Sequence, residues 1–336
     1  MSFRAFIAGC AGLALSADER AFFTEARPWG LILFRRNVES PEQVRALVDS
    51  FRQLLGEEAA VLVDQEGGRV QRLGPPHWPA YPPAAAYAGA SGDDVKLARL
   101  AGRLIAGDLR PLGIDVDCLP VLDIRMAGAH QIIGDRAYAD NPEDVARLGR
   151  AAAAGLLEGG VMPVMKHMPG HGRALADSHL ELPRVKAARE ELARDFAPFR
   201  ANADRPAGMT AHVVYEALDP SRPATQSPIV VENIIRGDIG FDGLLMSDDL
   251  SMKALAGAYE ERAARVYAAG VDLVLHCNGD LREAEAVARA APVLAGRALA
   301  RVERARALVA KAAAEAAPFD PVEARAALVS ALAALA

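Results

Sequence analysis

The chain has 336 residues, half of them hydrophobic, enough to bury the core of one large α/β domain or two smaller ones. Its formal charge of −6 argues against a nucleic-acid backbone as the main partner and leaves only a local basic patch for such a role. Three scattered cysteines, Cys10, Cys118 and Cys277, read as reduced core thiols rather than a disulfide framework, and no apolar run is long enough to span a bilayer.

The first apolar run, Phe6 to Leu15, contains Ile7-Ala8-Gly9-Cys10, which superficially resembles a lipoprotein cleavage box. Too few residues precede it for an apolar signal region, so a buried first strand followed by a glycine turn is expected, in a soluble cytoplasmic protein. "WGLILF" is a second strand, ending at Phe34. Ser40 then caps a helix with Pro41 in its first turn, Gln43 placed for a capping box and Gly56 as its stop. "AAVLVD" is a strand ending at Asp64. A helix from about Asp93 to Leu109 precedes the strand region "GIDVDCLPVLDI". Asn141 caps the next helix, and "GVMPVM" is a strand ending just before Lys166.

The second half repeats the pattern. "AGMTAHVVY" leads to His212, "DGLLMSDD" reaches Asp248 with a helix from about Lys253, and "GVDLVLHCN" ends at Asn278. The alanine-rich segments beyond Pro292 read as helical to the end. Strands alternating with helices in about eight units imply parallel strands and a single (β/α)8 TIM-type barrel spanning residues 1–336. No dinucleotide fingerprint, phosphate loop or interdomain linker interrupts it.

Asp64, Lys166, His167, His212 and Asp248 each stand at or just beyond the C-terminal end of an apolar strand. In a barrel those ends form one rim, where active sites are built. Strand ends are polar simply because they meet water, but so many charged or imidazole groups directly after apolar runs call for more than that.

Three of the seven histidines lie between His167 and His179. His167 and His171 have the spacing of a helical zinc site, but Pro169 and Gly170 break the helix that would put them on one face, and no metal is expected. Asp177 and His179 are two apart, so extended backbone would turn both to one side, where the carboxylate fixes the imidazole tautomer. Taken alone, that pair is better explained as a polar surface loop. Asp248, held rigidly after an apolar strand, is suited to attack an electrophilic sugar carbon. Its neighbour Asp249 fits helix capping better. "VDQEGGRVQRL" adds Glu66, Arg69 and Arg72, and "IIGDRAYAD" adds Asp135 and Arg136; such carboxylate and guanidinium groups bracket sugar hydroxyls, with Glu66 and Arg69 expected in supporting roles.

Together "KHMPGHG…ADSH", "VDQEGGRVQRL", "IIGDRAY", "MTAHVVY" and "GFDGLLMSDDLSM" resemble the family 3 glycoside hydrolases, and within them the bacterial β-N-acetylglucosaminidases of peptidoglycan recycling. The resemblance spans roughly Gly30 to Asn278. It implies a lone barrel, Asp248 as nucleophile, His179 as acid/base with Asp177 as its dyad partner, and Asp64, Arg72, Arg136, Lys166 and His167 around the N-acetylglucosamine unit. It implies a retaining reaction on a small amino-sugar or muropeptide substrate, with no cofactor and no membrane or nucleic-acid partner, in a chain expected to be a monomer. Gln65 and Met168 depart from the family's frequent His and Phe. A glycoside phosphorylase, a non-catalytic muropeptide sensor and a metal hydrolase are the competing readings.

Overall fold

The fold was examined in a computed structural model, which describes residues 2–89 and 93–333. Eight parallel strands close into a barrel: β1 (Arg4–Gly9), β2 (Pro28–Leu33), β3 (Ala60–Val63), β4 (Val116–Asp117), β5 (Met162–Met168), β6 (Ala207–Thr210), β7 (Leu244–Asp249) and β8 (Leu273–His276). They pair in sequence order, and β8 returns to β1 through Phe6–Val274, Ile7–Leu275 and Ala8–His276. Helices α1 (Ala17–Ala26), α2 (Pro41–Leu55), α3 (Asp94–Leu109), α4 (Pro142–Glu158) and α5 (Arg189–Ala201) follow the first five strands. A wide π-helical turn, Val230–Asp238, follows β6, while α6 (Tyr259–Ala268) and α7 (Leu281–Ala290) follow β7 and β8.

The period-two alternation of a strand explains the two cores. Ala5, Ile7, Ile32, Leu62, Val164, Met209, Met246 and Leu275 point into the barrel and fill it. Phe6, Ala8, Leu31, Leu33, Val61, Val63 and Leu245 point outward and bury the apolar faces of the helices. The alanine-rich tail is used at the opposite end from the site. Val302 and Ala305 of α8 (Gly296–Ala314) pack on the inner cluster beside Leu294, closing the foot of the barrel, and α9 (Pro321–Ala333) lies against α3.

Several element boundaries differ from the sequence expectation. Ser40 Oγ accepts from Gln43 N at 3.2 Å, but Gln43 Oε1 accepts from Glu39 N instead of closing the box on Ser40. β5 runs two residues past Lys166 because its backbone keeps pairing with β6 as far as Met168. No helix begins at Lys253: residues 250–258 form turns, and α6 begins at Tyr259. The tail breaks between α8 and α9, and the expectation of helix to the end falls, for residues 334–336, outside the described residues. The three cysteines are buried free thiols. Among the described residues no helix is long and apolar enough to cross a membrane.

Candidate active site

At the C-terminal rim the strands surround a cavity of about 260 Å³, bordered by Asp64, Glu66, Arg72, Arg136, Lys166, His167, His179 and Asp248. Seven of the eight residues expected at the site therefore border one space, and the eighth, Asp177, stands directly behind His179. The volume is on the scale of one sugar ring, smaller than the clefts that hold drug-sized ligands.

One wall is an ionic lattice. Lys166 Nζ donates to Asp64 Oδ1 at 2.8 Å and lies 2.7 Å from Glu66 Oε1. Arg72 reaches the other oxygen of Asp64 at 2.8 Å, and Arg136 grips both oxygens of Glu66 at 2.8 Å. Burial alone would raise both carboxyls, but the cations outweigh it and hold Asp64 and Glu66 below the usual carboxylate range. Burial likewise works against the charge on Lys166, yet Asp64 and Glu66 raise its pKa. The Glu66 segment is delivered by a tight hairpin, Gln65–Gly67 with Val70–Gln71. Gly67 has φ +91°, and a side chain there would meet Pro82 O at 2.3 Å from its Cβ. Gln65 fastens the hairpin: its Oε1 accepts from the amides of Arg72 and Leu73, and its Nε2 donates to Leu73 O. Arg69 acts as a brace, holding Asp135 and the carbonyls of Gln131 and Ile132.

The next layer was missed in the sequence. Asp123, fully buried, accepts from His167 Nδ1 at 2.7 Å and from the amide of His171 at 2.6 Å. Burial opposes its charge, but His167, followed by the bond from the His171 amide, lowers its pKa. Engaging Nδ1 turns the other nitrogen of His167 away from Asp123. Asp123 stands after the apolar run "CLPVL", so the strand-end rule that found Asp64 and Asp248 applies to it as well. Asp117, at the end of β4, is also fully buried; its Oδ1 accepts from Gln65 N, its Oδ2 has no partner among the described residues, and burial pushes its pKa well above the ordinary value.

Asp248, the penultimate residue of β7, is half-buried, with Oδ1 accepting from Asp249 N at 2.8 Å. Burial would raise its carboxyl, but His212 and His167 lead a set of neighbours that lower it. His212 does not border the cavity. It lies buried beside β7, bonded to Thr225 Oγ1 at 2.8 Å and to the Asp249 carbonyl at 3.0 Å. Asp249 also borders the cavity, and it caps a turn, not a helix, accepting from Ser251 N and from Cys277 N just past the neighbouring strand β8.

Asp177 and His179 stand on the long connection between β5 and α5. They meet through a turn, not through extended backbone. Asp177 Oδ1 accepts from both the amide and Nδ1 of His179 at 2.8 Å, and the Asp177 carbonyl accepts from Leu180 N and Glu181 N. Burial opposes the Asp177 charge, but the His179 amide and ring keep its pKa low. The His179 side chain remains 58% exposed, and its Nε2 takes no partner among the described residues. His171, by contrast, is buried, and burial pushes its imidazole down to about 4. Among the described residues no group of three or more His, Cys, Asp or Glu is arranged to hold a metal ion.

The chain is similar to known proteins over a span that contains these residues. Residues 9–311 match the profile described as Glycosyl hydrolase family 3 N terminal domain. A protein named β-hexosaminidase from Alkalilimnicola ehrlichii is 44% identical over 80% of this chain and 79% of its own length. The crystal structure of NagZ from Neisseria gonorrhoeae in complex with N-trifluoroacetyl-D-glucosamine superposes with a TM-score of 0.83 at 33% identity, covering 95% of this chain and 99% of that one. A family 3 β-N-acetylglucosaminidase from Paenibacillus sp. gives a TM-score of 0.84 at 35% identity; it covers 94% of this chain, which spans 63% of that longer protein.

Proposed function

The chain belongs to glycosyl hydrolase family 3 and is a glycoside hydrolase of the β-hexosaminidase kind, and from that premise we propose that it is a retaining exo-β-N-acetylglucosaminidase. Asp248 is the nucleophile, His179 the acid/base and Asp177 its dyad partner. Asp64, Arg72, Arg136, Lys166 and His167 bind the terminal N-acetylglucosamine. One observation carries this reading: an ionised, half-buried strand-end carboxylate shares a small cavity with an imidazole whose Nδ1 is engaged and whose Nε2 takes no partner among the described residues.

In the first step an Asp248 oxygen bonds to the anomeric carbon as the bond to the leaving oxygen breaks, and His179 Nε2–H gives its proton to that oxygen. In the second, neutral His179 takes a proton from water, the water oxygen bonds to the anomeric carbon, and the ester to Asp248 opens. Asp177 keeps the ring in the tautomer that serves both steps. The ionic wall supplies paired donors and acceptors for hydroxyl groups, already neutralised and in place before substrate arrives.

The substrate is N-acetylglucosamine β-linked to 1,6-anhydro-N-acetylmuramic acid, with or without peptide, in the recycling of peptidoglycan. The support for this is the motif resemblance and a cavity of a size for one sugar, with the rest of the substrate extending outside it in this reading. A cytoplasmic site of action belongs to the same proposal and rests on the same motif resemblance.

Incubation with a 5-fluoro-N-acetylglucosaminyl fluoride is expected to add one glycosyl mass to the peptide containing Asp248, and product NMR to show the β-anomer first. Mass on another residue, or first release of the α-anomer, removes the nucleophile assignment. Anhydro-muropeptides are expected to be cleaved with a higher kcat/KM than chitobiose; the reverse order removes the substrate assignment.

A further inference from the structure

Between the two members of the dyad lies a residue that the mechanism does not use. Ser178 is 2% exposed, although His179 beside it projects into solvent. Its hydroxyl is 3.1 Å from His171 Nε2, and its carbonyl accepts from Ala254 N at 3.2 Å. These two anchors come from different parts of the site. His171 stands at the root of the dyad loop, pinned through its amide to Asp123, and Gly172 beside it packs so closely on Ile124 O that no side chain fits. Ala254 lies in the turns that follow Asp248 and β7.

We propose that Ser178 is the positioning residue that docks the Asp177–His179 dyad over the cavity, clamped between the His171 ring and the Ala254 amide. The inference rests on the reading of His179 as the acid/base. The turn from Asp177 to Glu181 sets the shape of the dyad but says nothing about where the dyad sits. The Ser178 contacts supply that position, tying the loop that carries the acid/base to the segment leaving the nucleophile. Burial keeps the His171 ring neutral, so the clamp is one hydroxyl on an uncharged imidazole plus one main-chain bond. Such a clamp is strong enough to bias a loop and weak enough to release it.

The test compares leaving groups. A dinitrophenyl N-acetylglucosaminide departs without acid assistance, whereas a methoxyphenyl one needs it. Ser178→Ala is expected to lower kcat/KM for the methoxyphenyl substrate by about tenfold and for the dinitrophenyl substrate by less than about twofold. Ser178→Thr, which keeps the hydroxyl, restores most of the loss. Ala254→Pro, which deletes the amide donor, gives the same selective pattern and serves as a second variant with independent folding. His179→Ala is the control and shows the same split, larger. Equal losses on both substrates, or no loss on either, with the His179→Ala split intact, overturn the clamp and leave the proposed function standing. Absence of the split in His179→Ala overturns the acid/base assignment and the clamp with it.

Discussion

Lys166 and His179 border the same cavity and are held in opposite ways. The Lys166 side chain is 3% exposed and bridges two carboxylates, each with its own guanidinium partner. His179 is 58% exposed, and its ring is fixed by one bond to a carboxylate two residues away. The first arrangement needs distant segments of chain to arrive together, so it is as rigid as the fold itself. The second is local, made by two residues of one loop. On the proposed mechanism the rigid groups suit a sugar ring gripped the same way in every turnover, and the locally held pair suits a proton donor that lets the aglycone in and out.

The sharpest separation between catalysis and stability is expected at Asp248. Asp248→Asn removes the charge and keeps the shape, so hydrolysis of an aryl N-acetylglucosaminide should fall roughly 10⁴-fold or more with the fold intact. Near-normal turnover would take Asp248 out of the mechanism. Lys166→Met is expected to do the reverse of a purely catalytic change. It leaves two buried carboxylates facing each other with one cation fewer, so urea unfolding should lose about 3–5 kcal/mol and KM should rise. If Lys166→Met unfolds like the parent, the ionic wall is not the rigid half of the site. His179→Ala should lower turnover about 10²-fold, leave the unfolding midpoint nearly unchanged because the side chain is exposed, and recover with azide, which needs no general base. A loss of stability there would place the dyad in the rigid half too.

The same contrast explains what was legible in the sequence. The barrel was legible because apolar runs and capping residues recur in step, and a strand's alternation fixes its two faces. Asp64, Lys166, His167 and Asp248 were legible because they stand at or just beyond the ends of apolar runs. Partnerships across the barrel were not. Glu66 and Arg136 are far apart in the chain, and only closure of the barrel brings them to a bidentate pair. Asp123 obeyed the strand-end rule, but the run before it forms only a short strand and an isolated bridge from Val121 to Lys166, so it read as one more polar residue in an irregular stretch. The dyad spacing led to the correct contact through the wrong backbone, since a turn and an extended segment can both join residues two apart. Asp249 looked like a helix cap because the residues after it have helical composition; its side chain instead ties β7 to Cys277 beyond β8.

Two buried aspartates below the cavity allow the comparison to be drawn more finely. Asp123 is kept ionised by His167 and the His171 amide, so Asp123→Asn should release His167 and lower kcat/KM. Among the described residues no cation pairs with Asp117, and burial raises its carboxyl pKa well above the ordinary 3.8. Its proton is therefore retained on folding while the unfolded chain gives it up. At a pH below about 3.8 both states hold the proton and Asp117 imposes no linkage cost; as pH rises toward the folded-state pKa, the unfolded state ionises and stability falls. Asp117→Asn keeps the acceptor for Gln65 N and carries no proton to lose. Its melting temperature relative to the parent should accordingly rise between pH 4 and pH 7, by a few degrees at most, with activity little changed. A relative melting temperature that falls over that interval would mean that Asp117 is charged in the folded protein, and that the floor beneath Lys166 holds three carboxylates rather than two.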